Sequence, residues 1–233
     1  MTQTKGEEVR QRLGTLIAAA EPGHRLPPER ELMRTFGVAR ETIRRALDDL
    51  VFEGQLVKRA GVGTFVARPR LTKQFRMRSF TEEMRAQGMS SSSRLISATT
   101  HAAGARTGAQ LRISPASPVI SIQRVRLAND EPMAIETLRL PLDLVPGLAV
   151  RELESRSLYE TLREDYDIEL SSGSQRIEAT VTDDAESALL GLAPQSPALL
   201  VDRVTWTAEG RRVEAARSVY RGDRYRFEVD LTA

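Results

Sequence analysis

Leu26-Pro-Pro-Glu-Arg-Glu-Leu-Met-Arg-Thr-Phe-Gly-Val-Ala-Arg-Glu-Thr-Ile-Arg-Arg-Ala-Leu-Asp-Asp-Leu50 decides how this chain is read. Pro28 suits the first turn of a helix, where its missing N–H costs nothing. Glu29 to Thr35 continue that helix and Phe36-Gly37 ends it, because glycine takes the left-handed conformation of a sharp turn. A second helix is expected from about Ala39 to about Glu53. Ile43, Ala46, Leu47 and Leu50 fall at i, i+3, i+4, i+7, one buried stripe. Arg40, Glu41, Arg44, Arg45 and Asp48 fall on the opposite side. Two helices, a glycine turn and an arginine-rich outer face make a helix-turn-helix.

The flanks extend this pattern. Gln55–Arg59 and Thr64–Val66 are short and β-prone around Ala60-Gly-Val-Gly63, a hairpin with a glycine-rich tip. Beside a recognition helix such a hairpin reads as a wing. Before the motif, residues 7–20 form an amphipathic helix with Val9, Leu13, Leu16 and Ile17 on one side. After it, Arg68–Arg78 is basic and aperiodic, a linker whose charges either stay solvated or brush DNA.

From Ser79 the pattern changes. Ser79 with Glu82 fits a capping box opening a helix from Phe80 to about Gln87, and Ser90–Ser93 reads as a polar loop. Strands are expected at 94–101, 119–127, 133–140, 168–181, 199–207 and 212–220, with turns at Asn129-Asp130 and Glu209-Gly210. Helical pieces are expected at 105–110, 157–165 and 184–190. Hairpins with short helices inserted predict an antiparallel α+β domain. The domains are therefore residues 1–67, a linker over 68–78, and residues 79–233.

Bulk properties bound the function. The chain has 233 residues, 40% hydrophobic and 28% charged, with no cysteine. It can hold neither a disulfide framework nor a cysteine-ligated metal. No apolar run approaches a membrane span and the N-terminus lacks a signal-peptide core, so no membrane partner and a cytoplasmic location are expected. Residues 1–70 carry a net charge of +4 and residues 71–233 a net charge of −2. That asymmetry is too small to announce DNA by itself; the motif carries that inference. His24 and His101 are isolated from carboxylates, so no metal site and no cofactor are expected.

Leu26-Pro-Pro-Glu-Arg-Glu-Leu, Phe36-Gly-Val-Ala-Arg-Glu-Thr-Ile-Arg-Arg-Ala-Leu47 and Gly61-Val-Gly-Thr-Phe-Val66 resemble the winged-helix domain of GntR-family bacterial transcription regulators. Phe80-Thr-Glu-Glu-Met-Arg-Ala-Gln-Gly88, Arg124-Val-Arg-Leu-Ala-Asn-Asp-Glu-Pro-Met-Ala-Ile-Glu136 and Ser157-Leu-Tyr-Glu160 resemble the UTRA effector domain of the HutC subfamily, which has a chorismate-lyase-like fold. The resemblance implies a homodimeric repressor, not an enzyme, that binds a palindromic operator under control of a small molecule.

It also implies site residues. Arg30, Arg40, Arg44 and Gly61 match the family's DNA-contact positions. Thr42, at the start of the recognition helix, can hold a phosphate, Arg45 adds charge, and Gly63 allows close backbone approach. Ala39 and Glu41 depart from the Ser or Thr of many relatives, and Ala39 cannot donate a hydrogen bond. Glu41 either accepts from a base or pairs with Arg45 one turn on.

In the second domain Arg124 and Arg126 share one strand face with Ile120 and Ile122, an arrangement suited to an anion. Ser157 and Tyr159 open a helix as either an anion cradle or a simple cap. Glu214 and Tyr220 share a face with small Ala216 and Ser218 between them. The resemblance to amino-sugar-phosphate sensors implies that Phe80, Thr81, Arg124, Arg126, Ser157 and Tyr159 surround a phosphate and that Glu136, Glu214 and Tyr220 face a sugar. A surface ion pair between Arg126 and Glu136 is the alternative. Trp206 and Phe227 read as core rather than stacking platforms.

Overall fold

The structure, a computed structural model, describes residues 5–59, 62–67, 71–74 and 77–229, and at 59 and 72–74 the backbone only. The chain divides into two compact units, Met1–Pro69 and Arg70–Ala233.

The first unit holds α1 (Lys5–Ala19), α2 (Glu29–Phe36), α3 (Arg40–Phe52) and the hairpin β1 (Leu56–Arg59) and β2 (Gly63–Val66). Gly37 ends α2 in the left-handed conformation, φ 67°, and its N–H bonds the Met33 carbonyl, so the chain turns sharply into α3. Ile43, Ala46, Leu47 and Leu50 are all buried, packed with Val9, Leu13, Leu26, Leu32, Leu56 and Val66. Each such leucine contributes about 1.5–3 kcal/mol of burial, so this stripe sets the roll of α3 and turns its arginines outward. Leu16 was expected on the buried side of α1 but is exposed.

The second unit holds β3 (Leu71–Gln74), α4 (Phe80–Ala86), β4 (Ser91–Ala102), α5 (Gly104–Leu111), β5 (Pro118–Ala128), β6 (Glu131–Pro141), α6 (Leu158–Tyr166), β7 (Ser172–Val181), α7 (Asp184–Leu190), β8 (Pro197–Trp206), β9 (Arg212–Arg221) and β10 (Tyr225–Glu228). Two 3-10 turns, Leu142–Leu144 and Val150–Glu154, link β6 to α6. Six strands form one antiparallel sheet in the order β4-β5-β6-β9-β8-β7. Asn129 and Asp130 both have positive φ, 47° and 61°, as a tight hairpin turn matching strand twist requires. The Ser79 capping box is present on α4.

Three expectations change. Leu71–Gln74, within the run read as linker, is a strand paired in parallel with β10. Its partner lies about 150 residues away, so no local pattern reveals it. Ser91–Ser93, read as loop, opens β4, because Ser91, Ser92 and Ser93 pair with Ala128, Leu127 and Arg126. The strand expected from Ile168 begins at Ser172.

One face of the sheet carries Ile120, Ile122, Leu138, Leu140 and Ala216, packed under Leu153, Leu158 and Leu162. The reverse face carries Val119 and Ala215 beneath α5 residues Ala103 and Leu111, and Val125 and Ile135 beneath Leu190 of α7. The sheet is thus sandwiched, and each strand presents alternate residues to two different environments.

Candidate functional site

In the first unit Arg30, Arg40, Arg44 and Arg45 are exposed and Thr42 is half-buried in the first turn of α3. Ala39 caps that helix in extended conformation without a side-chain hydrogen bond. Arg40 Nε lies 3.3 Å from Glu29 Oε2, with the arginine side chain 71% exposed. An ion pair so exposed is worth under about 1 kcal/mol, so a phosphate can displace it. Among the described residues no ion pair joins Glu41 to Arg45. Gly63 has φ 143°, and a Cβ there would come within 2.8 Å of the Arg25 guanidinium. Gly61 lies outside the described residues.

In the second unit a cleft opens on the face of the sheet that packs against α6. Its cavity volume is about 20 Å³, and it is lined by Phe80, Arg124, Arg126, Glu136, Ser157, Tyr159, Glu214 and Tyr220. These are eight of the nine residues named from sequence. The ninth, Thr81, sits just behind, its hydroxyl accepting from Arg126 Nη2 at 3.2 Å. Residues separated by up to 140 positions converge because Arg124, Arg126, Glu136, Glu214 and Tyr220 all project from the same face of β5, β6 and β9, while α4 brings in Phe80 and the start of α6 brings in Ser157 and Tyr159.

The two arginines play unequal parts. Arg124 donates from Nε to Glu136 Oε2 at 2.8 Å and from Nη1 to the Leu153 carbonyl at 3.1 Å. Register dictates the first bond, since Arg124 sits directly opposite Glu136 and Arg126 opposite Ala134. The Arg126–Glu136 pair weighed from sequence is therefore replaced by Arg124–Glu136. Arg126 lies over the Phe80 ring, 4.5 Å from its centroid, and its buried Nε has no hydrogen-bond partner among the described residues. Burial, then the neighbouring Arg124, pull the Arg126 guanidinium down to about 10. An anion placed there would relieve both effects.

The opposite wall is a polar chain. Arg203 Nη1 donates to Tyr159 Oη at 3.2 Å, Tyr159 Oη donates to Glu214 Oε2 at 3.2 Å, and Thr205 Oγ1 donates to the same oxygen at 3.1 Å. Burial raises the Glu214 carboxyl above its ordinary range, against the pull of Arg203. Burial likewise raises Tyr159, helped by Glu214. Glu136 behaves oppositely: burial pushes it up, but Arg124 and Arg126 together hold it at about 2. The cleft thus pairs a firmly ionised carboxylate with one biased toward its neutral form.

Ser157 is the N-cap of α6, accepting from Glu160 N–H at 3.5 Å. The reach-back half of a capping box is replaced, because Glu160 pairs with Arg85 instead. Ser218, read from sequence as one of the small residues on this face, lines the cleft, and Ser79 and Arg203 also line it and were missed as site residues. The signal for Arg203 was its parity with Val201 and Thr205 on β8, a lone arginine on an otherwise inward face. Trp206 is half-buried beneath the Arg212 guanidinium, 3.6 Å from its ring centroid, and Phe227 packs edge-on to Tyr220. No cluster of three metal-ligating side chains occurs among the described residues, and no described helix is long and apolar enough to cross a membrane.

The family model of the bacterial regulatory proteins, gntR family, matches residues 5–66, and that of the UTRA domain matches residues 86–226. The chain belongs to the GntR family and carries its UTRA domain. The transcriptional repressor NagR of Bacillus subtilis is 38% identical over 94% of this chain and 91% of its own length. The repressor PhnF of Mycolicibacterium smegmatis is 34% identical over 98% of this chain and 93% of its own. The PhnF crystal structure superposes with a TM-score of 0.70 over 97% of this chain and 99% of that one. A histidine utilization repressor of Pseudomonas putida is 33% identical over 89% of this chain and 83% of its own. This GntR-family chain is a transcriptional repressor of the HutC type, a DNA-binding regulator with a small-molecule effector domain rather than an enzyme.

Proposed function

We propose that this repressor releases a palindromic operator when a phosphorylated amino sugar, glucosamine 6-phosphate or N-acetylglucosamine 6-phosphate, occupies the cleft of its second unit. The observation that carries the reading is the division of the cleft into two chemistries. Arg126, with an uncommitted buried Nε, stands with Phe80, Thr81 and the Ser157 end of α6 on one side, a place for phosphate. Glu136, Glu214, Tyr159 and Tyr220 stand on the other, acceptors and donors for hydroxyl and amine groups. Arg30, Arg40, Thr42, Arg44, Arg45, Gly61 and Gly63 form the DNA face. One recognition helix reads few base pairs, so a cytoplasmic homodimer spanning two half-sites about one helical turn apart supplies the needed footprint. The ligand acts by binding more tightly to the state in which the two readers no longer match that spacing.

The test is a thermal-shift and calorimetric screen of the full-length protein. It should contain both amino-sugar phosphates, their unphosphorylated sugars, other sugar phosphates, urocanate and a fatty acid. A true effector at a hundred times its Kd stabilises by about 2.7 kcal/mol and also lowers operator affinity. Stabilisation by urocanate or a fatty acid but by no sugar phosphate would replace the proposed ligand while leaving the regulator class intact.

A further inference from the structure

The reverse face of the sheet carries a second cationic site. Asp202, Arg217 and Arg176 lie directly opposite one another on β8, β9 and β7. All three have the parity opposite to the cleft residues Arg203, Ala216 and Ser218. Arg106 reaches in from α5, and Arg139 lies on β6 opposite Ala215. Arg106 Nη2 and Arg217 Nη1 both approach one oxygen, Asp202 Oδ2, at 3.2 and 3.5 Å. Arg139 lines the same cavity together with Thr107 and Gln110, and no hydrogen bond or ion pair joins it to another described residue. Its guanidinium is pulled down first by partial burial and then by Arg106 and Arg217, with Asp202 offsetting only part. Three guanidiniums therefore share a single carboxylate. Arg106 and Arg217 are 68% and 43% exposed and share Asp202, so among the described residues the half-buried Arg139 is the one guanidinium of the three left without an anion of its own.

We propose that Arg106, Arg139 and Arg217 form a binding site for a tetrahedral phosphate-type oxyanion, inorganic phosphate or a phosphomonoester, separate from the effector cleft. The chemistry fits the residues. Guanidiniums present forked donors that match phosphate oxygens in pairs, which a point charge such as lysine cannot do. Thr107 and Gln110 add neutral donors on the α5 side. Asp202 orients Arg106 and Arg217 and at the same time competes with the anion, so the site is tuned to a group with more than one negative charge. Ala216 and Arg203 turn toward the cleft while their neighbours Arg217 and Asp202 turn toward this site, so a single layer of β8 and β9 separates the two.

The experiment titrates full-length protein with inorganic phosphate and, separately, with glycerol phosphate, at ionic strength held constant with chloride. An Arg126→Ala background removes a cation that would compete for phosphate in the cleft. Arg139→Gln is expected to weaken the remaining phosphate binding about tenfold, one charged hydrogen bond's worth. Asp202→Asn is expected to strengthen it, an effect of opposite sign that general loss of folding cannot produce. Chemical-shift changes on α5, β8 and β9 should accompany saturation. Phosphate binding that is absent in the Arg126→Ala background, or untouched by both substitutions, overturns the site. So does an apparent affinity that falls as protein concentration rises, which would mean that acidic side chains of a second copy fill it. Each of these results leaves the effector-cleft reading standing, since that reading is tested by amino-sugar phosphates and operator release.

Discussion

Tyr220 and Tyr225 meet with ring centroids 4.6 Å apart and planes tilted by 59°. Tyr220 lines the cleft of the second unit, whereas Tyr225 begins β10, the strand that holds Leu71–Gln74 in parallel register. Leu71 follows the wing strand after only residues 67–70. Together with the edge-on Phe227, this Tyr220–Tyr225 contact stands between the cleft and the strand that adjoins the DNA-binding unit in sequence.

If that contact transmits occupancy, Tyr225→Leu should blunt the response to effector more than it blunts binding. Aromatic pairs contribute about 0.5–1.5 kcal/mol beyond their burial, so the ligand-induced drop in operator affinity should shrink by about two- to tenfold. Calorimetry gives effector affinity and a gel-shift titration with and without effector gives the response. An unchanged ratio removes Tyr225 from the path.

Arg44 is exposed on α3 one turn beyond Arg40, placed to grip a guanine edge or a phosphate. Arg44→Ala should lower operator affinity by about 1–3 kcal/mol if it reads a base. Comparing operator with random duplex at two salt concentrations separates the roles. Equal losses on both duplexes with a shallower salt slope identify a phosphate contact, and no loss on either excludes Arg44 from the interface.

Arg124 and Arg126 should fail differently. Arg124→Ala leaves the Glu136 carboxylate buried without its partner and should cost about 3–5 kcal/mol of stability. Arg126 has an unpartnered Nε, so Arg126→Met should cost little stability or none while abolishing binding of a phosphorylated ligand. Urea melts and calorimetry on both variants check this. Equal destabilisation by the two would show that Arg126 is as structurally committed as its neighbour.

The cleft carboxylates give a pH signature. Glu136 is held at about 2 against an ordinary 4.5. Its contribution is complete above about pH 4.5 and is lost as pH falls toward 2, and it amounts to on the order of 3 kcal/mol. Glu214 is shifted the other way by burial, so its ionisation costs stability as pH rises through the ordinary carboxylate range. Glu136→Gln should flatten the acid limb of a stability-against-pH curve, and Glu214→Gln should raise stability near neutrality. Acid limbs identical to the unsubstituted protein in both variants would sink this assignment.

Much of this molecule is written in local pattern. The Ile43–Leu50 stripe, the Gly37 turn, the Ser79–Glu82 cap and the Asn129-Asp130 hairpin each follow from the conformational preference or periodicity of a few adjacent residues. The sequence by itself determined the helix-turn-helix and the order of the six strands of the main sheet, and alternation put Arg124 with Arg126 and Glu214 with Tyr220 on shared faces, while the grouping of the cleft side chains into one site was what the family resemblance implied. Only the tertiary structure decided who pairs with whom. It set Arg124 rather than Arg126 opposite Glu136, brought Arg203 to Tyr159 and Glu214, and joined β3 to β10 across most of the second unit. It also left three arginines around one aspartate on the reverse face. Those outcomes depend on strand register and on contacts between residues far apart in the chain, where a shift of one position exchanges one face of the sheet for the other.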